Sequence, residues 1–145
     1  MHIEKVSIIT EEIFDAVQRL VPLLGSHKPV PAWDDLDLLI NSGNSHLLMA
    51  RFPGADSPIV GMLAISLYRV PTGGRAVVED LVVDAGYRNK GIAKALLLSA
   101  MEIARKAGAT GVALTSNSQR VEANQLYLRM GFQKRETNAY FIELK

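Results

Sequence analysis

Apolar positions along the chain switch between a helical and a strand-like period. Ile3 to Ile9 reads as a short strand. Thr10 is an N-cap for a helix over Glu11 to Leu24, which has acids in its first turn, Pro22 placed to finish it early, and Gly25 as its stop. After the loop Ser26-His27-Lys28-Pro29-Val30-Pro31, residues Trp33, Leu36, Leu39 and Ile40 recur at helical spacing until Asn41-Ser42-Gly43 breaks the run. Three strand-like runs follow closely: Leu47 to Phe52, Ile59 to Val70 and Ala76 to Asp84. Their connectors, Pro53 to Pro58 and Pro71-Thr72-Gly73-Gly74, are dense in turn residues, which predicts an antiparallel three-stranded meander.

The strongest helical face in the chain is Ile92, Ala95, Leu96, Ser99, Ala100 and Ile103, with Lys94, Glu102, Arg105 and Lys106 facing elsewhere and Gly108 at the end. Val112 to Thr115 suits a buried strand. Because a helix joins it to the strand before, the right-handed crossover rule makes the two parallel. A further helix runs from Ser118 to Met130 and stops at Gly131; Phe132 to Arg135 and Ala139 to Leu144 supply a last hairpin. The expected fold class is α/β of the mixed, α+β kind: a central mixed, mostly antiparallel β-sheet flanked by helices. Repeats, low-complexity tracts and linkers are absent from the sequence, so a single domain over residues 1–145 is expected.

Composition removes several function classes. Hydrophobic residues make up 48% of the chain and charged residues 21%, enough apolar material for a core of its own. Sixteen Lys and Arg against 15 Asp and Glu leave a net charge of +1, which argues against broad electrostatic capture of nucleic acid or an anionic membrane. Any anion site must then be local. Without Cys there is no disulfide, no thiolate metal site and no cysteine nucleophile, and His2, His27 and His46 are too scattered to make a metal cluster, so no metal is expected. No apolar run reaches the roughly 18 to 20 residues of a membrane span, and Met1-His2-Ile3-Glu4-Lys5 lacks a secretory core region. A soluble, cytoplasmic protein is expected.

The local anion site is visible in sequence. Val77 to Asp84 followed by Ala85-Gly86-Tyr87-Arg88-Asn89-Lys90-Gly91-Ile92-Ala93-Lys94 is a strand, a tight connection and a helix start. Unpaired N–H groups in a helix's first turn converge with the positive end of its dipole, and Gly91 lets main chain approach an anion without obstruction. Arg88, Lys90 and Lys94 put cations at the end where they do not stabilise a helix, a conflict that a bound diphosphate resolves. Neither G-x-x-x-x-G-K-[ST] nor G-x-G-x-x-G occurs, which sets aside ATPase and dehydrogenase readings. A basic loop that merely caps a helix is the other reading of this segment alone.

The run resembles the Arg/Gln-x-x-Gly-x-Gly/Ala acyl-CoA signature of the GNAT superfamily of N-acetyltransferases. Arg88, Gly91 and Ala93 carry the likeness, with Val83 and Tyr87 upstream; Ala93 stands where glycine is commoner. It continues in Ala123-Asn124-Gln125-Leu126-Tyr127-Leu128-Arg129-Met130-Gly131-Phe132, similar to the family's A-x-x-x-Y-x-x-x-G-F, and covers residues 59 to 132. The resemblance implies acetyl-CoA as co-substrate, gripped by Arg88, Asn89, Lys90, Gly91, Ile92, Ala93 and Lys94. It also implies a splayed strand pair whose backbone at Leu81, Val82 and Val83 pairs with the pantetheine arm, with the amide of Val83 or a near neighbour aimed at the thioester oxygen. By the same resemblance Tyr127 is the general acid for the departing thiolate and Asn124 contacts the cofactor.

Spacing alone places Arg120, Asn124 and Tyr127 on one side of a helix, where Tyr127 could equally belong to a core stripe with Ala123, Leu126 and Met130. Glu79 is the candidate general base, acting through water. Simple alternation puts it on a strand face with Val77, Leu81 and Val83, and an apolar setting would strengthen it as a base. Asp80 is its rival if a bulge breaks the alternation. Trp33, His27, His46 and Tyr140 could line an acceptor site or only pack. The leading expectation is an acetyl-CoA-dependent N-acetyltransferase that passes acetyl directly to a primary amine in a ternary complex. Against it stand a non-catalytic acyl-CoA-binding or regulatory module and a structural interaction domain. A homodimer is compatible with exposed sheet edges.

Overall fold

A computed structural model describes residues 1–144. The elements are β1 (His2–Lys5), α1 (Glu11–Leu20) with a 3-10 turn at Val21–Leu23, α2 (Trp33–Asn41), β2 (Ser45–Arg51), β3 (Ile59–Val70), β4 (Gly73–Val83), a 3-10 turn at Ala85–Tyr87, α3 (Ile92–Lys106), β5 (Ala109–Leu114) and α4 (Val121–Arg129). The strands form one mixed sheet in the order β1-β2-β3-β4-β5, antiparallel except for the parallel β4–β5 pair. By contact density the chain divides into two compact units, Met1–Thr115, which holds the whole sheet, and Ser116–Lys145.

Local chemistry explains most of these elements. The Thr10 hydroxyl accepts from the Ile13 amide at 3.2 Å and caps α1, which buries Ile13, Ala16, Val17 and Leu20. Pro22 turns the rest of the predicted helix into a single 3-10 turn. At α2 the Asp35 carboxylate accepts from the Ala32 amide at 2.8 Å. The sheet is covered on both faces. On one, Met49, Met62 and Val82 pack with the buried residues of α1 and with Leu36 of α2. On the other lies α3: a β-carbon added to Gly61 would sit 3.3 Å from Ile92 and 3.4 Å from Leu96. α3 buries Ile92, Leu96, Leu97, Ala100 and Ala104, a face rotated slightly from the expected one. No described helix is long and apolar enough to cross a membrane.

Four expectations need correction. The first strand ends at Lys5, because Val6 and Ile9 turn down into the core while Ser7 and Ile8 stay exposed. The α4 helix begins at Val121, since Asn117 organises the residues before it: its side chain accepts from the Gln119 amide at 2.9 Å and its carbonyl from the Arg120 amide at 3.0 Å. The hairpin expected over Phe132 to Arg135 and Ala139 to Leu144 is not formed among the described residues. A two-stranded hairpin is marginal in water, and nothing between Lys134 and Ala139 supplies the glycine or proline that closes a tight turn. β5 therefore stays at the sheet edge, with Ala113 exposed rather than buried as the apolar run from Val112 to Thr115 suggested.

Candidate functional site

β4 is irregular where the predicted site residues lie. Met62 pairs with Val82 and Ala64 with Glu79, so Leu63 stands opposite both Asp80 and Leu81. This is a β-bulge, and Asp80 carries it at φ +52°, a left-handed conformation that Asp tolerates better than most side chains. The extra residue breaks the alternation. Glu79 falls on the face of Met62 and Val82, the α1 side, whereas Val83, paired with Gly61, falls on the α3 side. The common face expected for Glu79 and Val83 does not exist, and neither does the apolar setting expected for Glu79, which is exposed beside an exposed Asp80.

Immediately before the bulge the pairing with β5 stops. The parallel ladder runs from Gly74 opposite Ala109 to Val78 opposite Leu114, and from Glu79 onward β4 pairs only with β3 among the described residues. The β5-facing backbone of Leu81, Val82 and Val83 is thus without a strand partner. The resemblance implied a splayed pair at this place; the ladder shows β5 ending at Leu114 while β4 runs on to Val83.

Beyond β4 the chain is tied down at one end and open at the other. The Asp84 amide donates to Val60 O at 2.7 Å and the Tyr87 amide to Asp84 O at 2.9 Å. Arg88 is extended, with its Nε donating to Val83 O at 3.4 Å, and Asn89 and Gly91 take left-handed conformations at φ +61° and +79°. The first helical bond of α3 runs from the Ala95 amide to Gly91 O at 3.0 Å. The amides of Ile92, Ala93 and Lys94 precede it, and among the described residues no side chain caps them. A β-carbon on Gly91 would meet no described atom within 4 Å. The Ile92 side chain is buried and anchors the turn from below; Arg88, Asn89, Lys90 and Lys94 are exposed around it, with no acid in the first turn of α3. Unbonded N–H groups, a helix dipole and three nearby cations are the features that favour an anion at a helix start.

Sequence reasoning missed what lies beneath that loop. The Phe52 ring stacks edge-on against Tyr87 with centroids 6.1 Å apart, and the Lys90 ammonium sits 5.8 Å from the Phe52 centroid. The only sequence signal was an aromatic residue at the mouth of a turn-rich connector. Beside the loop is a hollow of about 250 Å³ whose lining includes Glu12, Asp15, Arg19, Ile59, Asp84 and Tyr87. Arg19 holds its wall together, donating to Ile59 O at 2.6 Å and lying 3.5 Å from the Asp84 carboxylate.

In the Ser116–Lys145 unit, Tyr127 is buried, at 6% exposure, with its ring edge-on to Phe132 at 5.9 Å. Burial pushes its phenol pKa up, and the charge of Arg120 opposes part of that shift. The hydroxyl makes no hydrogen bond among the described residues, yet it is not sealed from solvent. The amide nitrogen of Asn124 donates to Asn117 O at 3.0 Å, leaving its side-chain oxygen uncommitted. Of the four candidates for the acceptor side, Trp33 is 37% exposed and packs against Phe14 at 5.4 Å, His27 is exposed, and Tyr140 is 89% exposed. His46 is half-buried, which lowers its imidazole pKa, and Lys5 lowers it further.

Residues 10–132 match the model of the acetyltransferase (GNAT) family. The chain is 38% identical over 85 residues to rat N-acetyltransferase 8B, covering 57% of this chain and 37% of that one. It is 37% identical over 81 residues to glucosamine 6-phosphate N-acetyltransferase of Trypanosoma brucei brucei, covering 54% and 53%. It thus spans well under half the length of the rat protein and about half of the trypanosome one. An aminoglycoside acetyltransferase from an uncultured soil metagenomic sample has the same fold, with a TM-score of 0.81 over 99% of this chain and 96% of that one at 20% identity. A family match running from Thr10 to Phe132 takes in both motifs and every element except β1, and the chain belongs to the acetyltransferase (GNAT) family.

Proposed function

We propose that the protein moves an acetyl group from acetyl-CoA directly to a primary amine, with both substrates bound together. The observation that carries this reading is the uncapped start of α3, where free amides, a left-handed glycine with open space over it, and Arg88, Lys90 and Lys94 face solvent together. The CoA diphosphate seats there, on Arg88, Asn89, Lys90, Gly91, Ile92, Ala93 and Lys94. The pantetheine arm extends along the unpaired backbone of Leu81, Val82 and Val83, and the Val83 amide polarises the thioester carbonyl.

The neutral amine attacks that carbonyl: a C–N bond forms, the C–S bond breaks, and the amine proton passes through water to Glu79, whose exposure gives water free access. Tyr127 protonates the leaving thiolate. Its support is a phenol whose pKa burial pushes further up and whose hydroxyl makes no hydrogen bond among the described residues. Asn124 offers its free side-chain oxygen to the cofactor. The whole of residues 1–145 is taken to work as one acetyltransferase domain. Cytoplasmic residence rests on the cysteine-free sequence, and a homodimer on the two open sheet edges, β1 and β5.

Titration calorimetry with acetyl-CoA tests the site, and thiol release across an amine panel, with mass measurement of the product, tests the reaction. Amino sugars head the panel, because the trypanosome relative is named for glucosamine 6-phosphate and the metagenomic structure for aminoglycosides. Heat of binding with thiol release from at least one amine is expected. An absence of both heat and thermal shift overturns the reading, and binding without release from any amine favours the non-catalytic acyl-CoA module.

A further inference from the structure

We infer that Phe52, in the loop between β2 and β3, is a positioning residue for the diphosphate cradle, which it holds in its binding shape through Tyr87 and Lys90. This rests on the acetyl-CoA reading above and adds to it a residue that neither motif contains.

Three groups of contacts carry the inference. The segment bearing Phe52 is itself braced. The Phe52 amide donates to Pro58 O at 3.4 Å, Ser57 and Gly54 bond to each other through the Ser57 amide and hydroxyl, each at 3.1 Å, and the preceding Arg51 donates to Ser57 O at 3.0 Å. From this support the Phe52 ring touches the cradle at two points that flank Arg88 and Asn89: Tyr87 packs edge-on at 6.1 Å and 71°, and Lys90 places its ammonium 5.8 Å from the ring centroid. Between those points the chain has little else to hold it. Arg88 to Gly91 are all exposed, and two of the four residues have positive φ.

An exposed run of left-handed residues with few local bonds samples many conformations. Fixing it at both ends lowers the ordering cost of binding. An ammonium over an aromatic face is also held without being neutralised, so Lys90 stays available as a cation to an arriving phosphate. A carboxylate in the place of Phe52 would hold the lysine as firmly and compete with the ligand.

The test compares ligands with and without the diphosphate. ADP carries the diphosphate and lacks the pantetheine arm; S-acetylpantetheine carries the thioester and lacks the diphosphate. In Phe52→Ala, the Kd values for CoA and ADP by calorimetry are expected to rise about three- to ten-fold. The KM for S-acetylpantetheine and the kcat with acetyl-CoA are expected to stay within two-fold of wild type. Phe52→Tyr keeps the ring and restores ADP affinity. Phe52→Leu keeps apolar bulk without a ring face and stays weak, and it stands in for alanine if Phe52→Ala does not fold. In a Lys90→Met background the effect of Phe52→Ala on ADP shrinks, because one of its two routes is gone. Wild-type CoA binding with unchanged ADP affinity in the Phe52 variants overturns this inference alone, as does an equal rise in the S-acetylpantetheine KM. Failure of the wild type to bind CoA overturns the underlying reading, and this inference falls with it.

Discussion

Gly91→Ala separates two consequences of one left-handed residue. Gly91 sits at φ +79° with no described atom within 4 Å of the position a β-carbon would take, so the methyl group meets no steric clash in the unliganded protein. What remains is the conformational penalty of an L-residue in the left-handed region, about 1 kcal/mol. For a chain of this length that lowers Tm by about 3–4 °C. If the open space over Gly91 is where a diphosphate lies against backbone amides, the same methyl group also pushes the ligand off one or two charge-assisted hydrogen bonds, each contributing about 1.5–3 kcal/mol. CoA affinity should then fall roughly 10- to 100-fold or more. The matched control is Gly108→Ala at the other end of α3. Gly108 has φ +81° and equally open space, so its stability cost is the same, but no ligand is expected there. Urea unfolding and CoA calorimetry on both variants make the comparison. Equal loss of stability with CoA binding lost only in Gly91→Ala is the expected pattern; CoA binding unchanged within two-fold in Gly91→Ala would remove the diphosphate from the start of α3.

Three further outcomes follow from the geometry. Arg51, largely buried, bonds Glu12 through two nitrogens at 2.8 and 2.6 Å and Glu4 at 3.1 Å, so Arg51→Met should cost about 2 kcal/mol in urea unfolding. The Arg51 hydrogen bonds hold the Glu12 carboxyl below its usual value of 4.5, with burial opposing and the Arg51 charge assisting. The stabilisation is therefore complete above pH 4.5 and lost as pH falls through the lower folded-state value, and a Tm profile from pH 6 to 3 should be flatter in Arg51→Met. Tyr127→Phe should bind CoA within two-fold of wild type while its kcat drops about 100-fold or more. Because burial raises the phenol pKa, the wild-type rate should show no Tyr127-dependent decline below about pH 9. Asp80→Val puts a β-branched side chain at φ +52° and should cost about 1–2 kcal/mol by thermal unfolding, whereas Asp80→Asn should be near neutral.

How much of this was legible in sequence depends on how local each feature is. Thr10 as a cap, Pro22 as a helix stop, the tight β3–β4 connection and Gly91 at the start of α3 are all decided by a few neighbouring residues, and each lies where the pattern puts it. The Phe52–Tyr87 and Phe52–Lys90 contacts join separate segments, and nothing at residue 52 alone announces them. The Trp33 ring meets Phe14 only because the loop between α1 and α2 folds back, so helical spacing identified a packing residue without its partner. At the C-terminal end the pattern misled. Ala139 to Leu144 is strand-like in composition, but a strand needs a ladder partner, and β-propensity does not supply one.

The bulge at Asp80 shows why simple alternation puts Glu79 on the wrong face. Two adjacent acids in a strand that is otherwise apolar from Val77 to Val83 violate alternation whichever face is buried: one carboxylate must enter the core, or the backbone must absorb an extra residue. The chain takes the second course, and both acids reach solvent. A bulge also sharpens the local twist of its strand, and the ladder with β5 stops at Val78, directly before the bulge. The same insertion changes the face of Glu79, and the Leu81–Val83 backbone lies past the end of β5 at Leu114. The faces of Glu79 and Asp80 are consequences of one irregularity, so moving the bulge by a residue would change which acid is the candidate base.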